Sequence, residues 1–369
     1  MIVIDGSYGE GGGQVLRTAL TLSAITGQAV RIERIRAGRR NPGLQAQHLT
    51  GVLAIARVCG AELEGARLGS TTLSFVPRHP PQAGTYRFDV AEQRKGGSAG
   101  SVTLVLHTLI LPLALAEGSS QVTLRGGTHV AWSPPYQHLE RVYLPMLRRM
   151  GIAVRASISR WGWYPEGGGE VTVEVAGRPG QRPTALELAE RGTLRSLGGL
   201  SASANLPEHV AERQRRRAEE LLREAGFTPC LEVMRASRPS PLLAPGTARR
   251  EQEVRASGTG SALLLIAECE GVAAGFSALG ERGKPAERVA EEAVRDLLRW
   301  WQSGAAVEMH LADQLLLPLA LAEGPSSFAT CRVTQHLLTN AWVIRQFLPV
   351  QIELQGQEGE AGRVHLRPE

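Results

Sequence analysis

Near its N-terminus the chain reads DGSYGEGGGQVLR, from Asp5 to Arg17, with glycines at 6, 9, 11, 12 and 13. An aliphatic run precedes this stretch and an apolar periodic segment follows it, so the glycines sit at a strand-to-helix junction. The first turn of a helix leaves backbone N–H groups unpaired and carries the positive end of the helix dipole, which suits an anion. Arg17, one turn in, adds a charge. A tight turn with no ligand fits the same residues equally well. A lysine-bearing phosphate loop is excluded, because the glycines end in Gln14 and Gly283–Lys284 runs into proline. The GxGxxG spacing of a dinucleotide site is absent too. Glu10 would oppose phosphate unless a metal ion lay between them. One carboxylate with phosphate oxygens is a common magnesium arrangement, so Glu10 is a candidate metal ligand.

The next cluster is IRAGRRNPGLQAQH, residues 35–48, in which Arg36, Arg39 and Arg40 precede a Pro–Gly turn and a helix bearing Gln47 and His48. Arginines on a loop at a helix start suit a polyanion. The nine histidines form no HExxH pair. His336 is distinctive in heading a helix directly after a strand, in the string QHLLTN. The four cysteines, Cys59, Cys230, Cys269 and Cys331, form no CxxC pair, which argues against a zinc site or a disulfide framework. The net charge of +5, almost all of its basic side arginine, is compatible with a nucleotide or nucleic-acid partner. No apolar run reaches the ~20 residues of a membrane span, and MIVIDGSYGE is no signal peptide, so a cytoplasmic location is expected.

These residues need elements to hold them, and a repeat supplies the outline. LPLALAEG occurs at 111–118 and at 317–324, with a looser copy, LTLSAITG, at 20–27. Each fits a helix ending at a glycine and leading into a strand. The flanks agree, and each unit reads helix–strand–helix–strand–strand. The first two copies are 91 residues apart and the last two 206 apart. The excess places an inserted domain over 184–302, between core segments 1–183 and 303–369. The insertion carries helices over 209–226 and 284–301 and a Pro/Gly/Ser-rich loop at 236–250. The arginine run of its first helix reads as a solvated face.

Together, DGSYGEGGGQVLR, IRAGRRNPGLQAQHL, GSAGSVTLVL, WYPEGGGEV, LADQLLLPLALAEG and HLLTN occur in the order seen in RNA 3′-terminal phosphate cyclases, and the chain resembles that family over nearly its whole length. The resemblance implies an α+β fold of three repeated units, each a four-stranded sheet with two helices. Such units resemble the C-terminal domain of a translation initiation factor and the units of enolpyruvyl transferases. A smaller α/β domain is inserted. It implies that the histidine before LLTN, here His336, attacks the α-phosphorus of ATP, and that Glu10 contacts the metal, Mg²⁺ or Mn²⁺. By the same resemblance Arg17, Arg36 and Arg39 contact phosphate, with Gln47 and His48 on the following helix, and Asp313 and Gln314 match the Asp–Gln of LADQ. Pro134 lies beside the adenine, and His107 and His310 fall near the adenine pocket. The implied partners are ATP and an RNA with a 3′-phosphate, with no membrane and no obligate protein. AMP would pass from His336 to the RNA phosphate, and the vicinal 2′-OH would then displace it to leave a 2′,3′-cyclic phosphate. The attacking nitrogen must be neutral, so Asp313 or a backbone carbonyl is expected to fix the His336 tautomer.

Overall fold

The computed structural model describes residues 1–237 and 254–368. Most of the Pro/Gly/Ser-rich stretch at 236–250 therefore lies outside the described residues. The chain begins with β1 (Ile2–Asp5), α1 (Gly13–Thr26), β2 (Val30–Glu33), α2 (Ala46–Cys59), β3 (Glu62–Glu64) and β4 (Leu73–Val76). Their sheet runs β1-β2-β4-β3, with β1 and β2 parallel and the rest antiparallel. Parallel neighbours need a crossover, which α1 provides. Ile4, Val30, Ile32, Leu73 and Phe75 point from this sheet into the core and are fully buried.

Next come β5 (Thr85–Asp89), α3 (Val102–Ala114), β6 (Gly118–Gly126), α4 (Tyr136–His138), a π-turn (Leu139–Tyr143), α5 (Leu144–Arg149), β7 (Ala153–Gly162) and β8 (Gly169–Gly177). These strands lie in the order β5-β6-β8-β7, again with only the first pair parallel. After β9 (Glu187–Leu188) the chain makes β10 (Leu194–Ala204), α6 (His209–Glu224), β11 (Cys230–Ser237), β12 (Val254–Ser257), β13 (Gly260–Cys269), β14 (Ala273–Leu279) and α7 (Ala286–Ser303). It closes with α8 (Met309–Ala320), β15 (Ser326–Thr330), α9 (Gln335–Arg345), β16 (Val350–Gln355) and β17 (Gly362–Pro368). The last sheet is ordered β9-β15-β17-β16, so one strand order recurs three times. Strand β9 falls inside the 184–302 segment, yet it pairs with β15 in this last sheet through Glu187–Ser327 and Leu188–Phe328.

Strands β10 to β14 extend the second sheet to nine strands, joined where β12 pairs with β7. Helices α6 and α7 cover this extension, and Leu263, Leu265, Leu297 and Trp300 build a separate apolar cluster under them. Most arginines of α6 are paired: Arg213 with Glu287 at 2.7 Å, Arg215 with Glu219 at 2.9 Å, Arg217 with Glu220 at 2.7 Å and Arg223 with Glu219 at 2.9 Å, while Arg216 is exposed without an ion pair among the described residues. A helix face neutralised in this way offers little to a polyanion.

The LPLALAEG segments behave differently from the expected helix–glycine ending. Only α1 stops at its glycine, with Gly27 in the left-handed region at φ 71°. Helices α3 and α8 end at Ala114 and Ala320, short of Gly118 and Gly324. Each has a proline in its last turn, Pro112 and Pro318. A proline there removes the N–H that would bond to the carbonyl one turn earlier, so it weakens the preceding turn, while Leu115 and Leu321 still donate to the Leu111 and Leu317 carbonyls at 3.2 Å.

Candidate active site

The glycine loop is anchored at both ends. Asp5 accepts hydrogen bonds from the Ser7 backbone N–H at 3.0 Å and from its hydroxyl at 2.7 Å, and it pairs with Arg34. Tyr8 stacks on Trp342 of α9, ring centres 3.9 Å apart. Gly9 has φ 62°, and a Cβ there would lie 2.2 Å from Thr339 Oγ1, so only glycine lets the loop lie this close to α9.

Helix α9 starts at a capped end, where the Thr334 hydroxyl accepts the Leu337 N–H at 3.1 Å. This places His336 on the first turn, where it remains 46% exposed. Replacing Thr334 with alanine is expected to cost about 1 kcal/mol. The loss would read as a lower denaturant midpoint with an unchanged slope. The body of the helix is held by Asn340, whose amide donates to the Asp313 carbonyl at 2.8 Å and whose oxygen accepts from Thr18 at 2.6 Å. This buried residue ties α9 to both α8 and α1. It was visible in QHLLTN only as the end of a string.

Glu10 is brought against His336, with Oε1 2.9 Å from Nδ1, close enough for an ion pair but not aligned as a hydrogen bond. Its other oxygen lies 2.9 Å from Arg39 Nη2. The His336 pKa is raised, chiefly by Glu10 and further by Asp313, against the opposing effect of burial. The group facing Nδ1 is thus Glu10, and neither Asp313 nor a backbone carbonyl takes that place. The reason is the loop's contact with α9, which local sequence does not encode. Burial raises the carboxyl of Asp313 to about 6, and His336, His310 and Arg17 hold it from rising further.

Arg17 lies between acidic groups, within the fields of Asp313 and Glu10, and donates to Gln14 Oε1. Burial pulls its pKa down to about 10, so it stays cationic near neutrality. His48 is kept neutral: burial, Arg36 and Arg17 push it down to about 3. Its Nδ1 accepts the Gln45 N–H at 3.2 Å, which leaves the proton on Nε2. That nitrogen occupies the space beside Gly13, where a Cβ would come within 2.5 Å of it.

The remaining residues divide by what they touch. Arg36 donates to the carbonyls of Asn41 and Gly43, and Gln47 accepts the Ser101 N–H at 2.9 Å, so both hold the chain around the site. His107 stacks on Tyr143 at 4.7 Å, and burial, Arg17 and His138 push its pKa to about 3. The Pro134 carbonyl accepts from Thr103, whose oxygen is 2.8 Å from that of Ser101. His310 is exposed, and its backbone N–H donates to Glu308, the cap of α8. Glu308 was not singled out in the sequence. It is buried and also lies 3.2 Å from His138.

Among the described residues, buried side-chain polar atoms without a hydrogen-bond partner are Glu10 Oε1, His107 Nε2, Thr108 Oγ1, His138 Nδ1, Trp163 Nε1, Gln314 Oε1 and Thr339 Oγ1. Such atoms are uncommon and call for a ligand or water. Five of these seven lie on the glycine loop and on α3, α8 and α9. A small cavity lined by Leu16, Arg17, Gln47, His48, Leu104 and Thr108 lies between α1, α2 and α3. Among the described residues, no cluster of three or more His, Cys, Asp or Glu side chains is arranged to hold a metal.

The family model for RNA 3′-terminal phosphate cyclase matches residues 8–354. The chain belongs to this family of enzymes. A family member from Methylococcus capsulatus, named RNA 3′-terminal phosphate cyclase, is 50% identical over 371 residues, covering 100% of this chain and 97% of that protein. One of the same name from Trichormus variabilis is 50% identical over 347 residues, 94% of each chain. The namesake from the archaeon Methanopyrus kandleri is 43% identical over 372 residues, 100% of this chain and 99% of that protein. A solved structure, the enolpyruvyl transferase NikO from Streptomyces tendae, overlaps at a TM-score of 0.27 and 15% identity, over 48% of this chain and 33% of that one, too slight a likeness to bear on fold or chemistry. Among the described residues no helix is long and apolar enough to cross a membrane.

Proposed function

We propose that this enzyme converts the 3′-phosphate end of an RNA to a 2′,3′-cyclic phosphodiester at the expense of ATP, with AMP carried on His336. The observation that carries the reading is the pairing of His336 Nδ1 with Glu10 beside Arg17 and Arg39. A carboxylate at Nδ1 favours the Nδ1–H tautomer and leaves the Nε2 lone pair as the nucleophile. Nε2 bonds to the α-phosphorus as the α–β anhydride bond breaks, and pyrophosphate leaves. An oxygen of the RNA 3′-phosphate then attacks the same phosphorus, breaking the P–N bond and restoring the imidazole. The 2′-OH next attacks the terminal phosphorus of the RNA, giving up its proton, and AMP departs.

Arg17 and Arg39 offset the charge that builds on the phosphoryl oxygens. His48 offers a neutral Nε2–H donor at the start of α1. On the family resemblance, Pro134, His107 and His310 are read as lying on the adenine side, with Asp313 and Gln314 as the Asp–Gln of LADQ. For a divalent cation, Glu10 fits as the single carboxylate donor, with nucleotide phosphates as the others, and Arg39 must then release one oxygen. Mg²⁺ in that place would neutralise phosphate charge.

We also read the core as three copies of one βαβαββ unit, supported by the strand order that recurs three times. On that reading the division is 1–183, 184–302 and 303–369, with Glu187–Leu188 belonging to the third unit. The test of the activity is incubation with α-labelled ATP and magnesium. Label that stays on the denatured chain and is released by acid, as a phosphoramidate should be, is expected. Absence of covalent label would sink the mechanism.

A further inference from the structure

Three loops meet at the edge of the candidate site: 94–101, 127–135 and 163–168. The Gly127 N–H donates to the Gly100 carbonyl at 2.8 Å and the His129 N–H to the Gly162 carbonyl at 3.1 Å. Gly167 packs on the first loop so closely that a Cβ would lie 2.7 Å from Ser98 O. This group is continuous with the site. The Pro134 carbonyl binds Thr103, Thr103 meets Ser101, and Ser101 is held by Gln47, next in sequence to His48.

Two large aromatic side chains of these loops stand in solvent. Trp132 is 98% exposed and Tyr164 is 76% exposed. Trp132 also has a left-handed backbone, φ 64°, a conformation that costs energy for a bulky side chain. The two loops pack on each other, with His129 stacked on Trp163 at 4.7 Å and Trp161 of β7 packed against the pair. Arg94 and Lys95, on the first loop, are exposed and make no ion pair among the described residues. This contrasts with α6, whose arginines are largely neutralised.

A docking protein would favour a continuous apolar patch. Here no other large apolar side chain of these loops is exposed among the described residues. Separate flat rings and unpaired cations on loops that meet match single-stranded nucleic acid instead, in which bases stack on rings and phosphates follow positive charge. We infer that Trp132 and Tyr164 are stacking platforms for unpaired bases at the RNA 3′ end, with Arg94 and Lys95 on the adjoining phosphates. The inference rests on the site's reading as an RNA 3′-phosphate site.

The experiment measures cyclisation of a single-stranded RNA bearing a 3′-phosphate, alongside labelling of the protein by ATP alone. Trp132→Ala should raise the KM for RNA roughly tenfold, with most of the loss recovered in Trp132→Phe. The KM for ATP and the yield of labelled protein should stay within about twofold of the parent, since the ring is outside the core and serves the RNA step. Replacing both Arg94 and Lys95 with alanine should flatten the salt dependence of RNA binding, measured directly by fluorescence anisotropy. An unchanged RNA KM in Trp132→Ala overturns the platform. So does a rise confined to the KM for ATP, which would assign the ring to the nucleotide. If the parent protein takes no label from ATP, the catalytic reading falls. Anisotropy with the Trp132→Ala protein then still decides the platform, by weaker RNA binding or none of that loss.

Discussion

Replacing His336 with alanine is expected to reduce cyclisation by about 10⁴-fold or more and to remove all covalent label from ATP, because no other group can take the nucleophile's place. The fold should survive. His336 is 46% exposed at the start of α9, and surface changes of this kind usually alter stability by less than about 0.5 kcal/mol. A second substrate separates chemistry from positioning. An RNA already carrying AMP on its 3′-phosphate needs only attack by its own 2′-OH, so the His336→Ala protein should still cyclise it. Label on His336→Ala protein, or failure with the pre-adenylated RNA while the fold is intact, would contradict the assigned role.

Glu10→Gln is expected to have the second-largest effect, a loss of about 10²-fold, since it removes a charge at the reacting centre while keeping its shape. Its sign can also be read in a titration. Glu10 is the leading cause of the raised His336 pKa. In the nucleotide-free protein, the imidazole therefore holds its proton to a higher pH than an ordinary histidine, and label transfer from ATP should rise as pH passes through that raised value. The Gln variant should bring the His336 pKa down towards the usual ~6.5, as followed by NMR of the imidazole. For stability the same pairing contributes fully below the unfolded-state pKa and is lost as pH rises through the raised folded value. The partial exposure of His336 keeps that contribution small. A His336 pKa that rises or stays fixed in Glu10→Gln would rule out the carboxylate as its cause.

Much of the secondary structure was legible locally. The helix expected to bear Gln47 and His48 is formed by Ala46–Cys59. The stretch 136–152 has helical spacing, and the chain is helical from Tyr136 to Arg149, with a π-helical segment at Leu139–Tyr143. The helix ends within LPLALAEG were misplaced, since α3 and α8 stop at Ala114 and Ala320, before their glycines. The two-residue strand β9 carries no periodic signal and is defined only by its partner β15.

What the sequence determined by itself is the inventory and its order. Glu10 stands in the glycine loop, arginines stand at 17, 36 and 39, and His336 heads a helix after a strand. These follow from residue type and short-range spacing, which govern turns, caps and helical faces. The tertiary structure decided the pairings. It set Glu10, rather than Asp313, against Nδ1 of His336. It turned Gln47 onto Ser101, gave Asp313 its raised pKa, and left the ring of Trp132 in solvent on the loop that carries Pro134. Each depends on contacts between segments remote in sequence, where burial and charge proximity are set by packing and no local pattern records them.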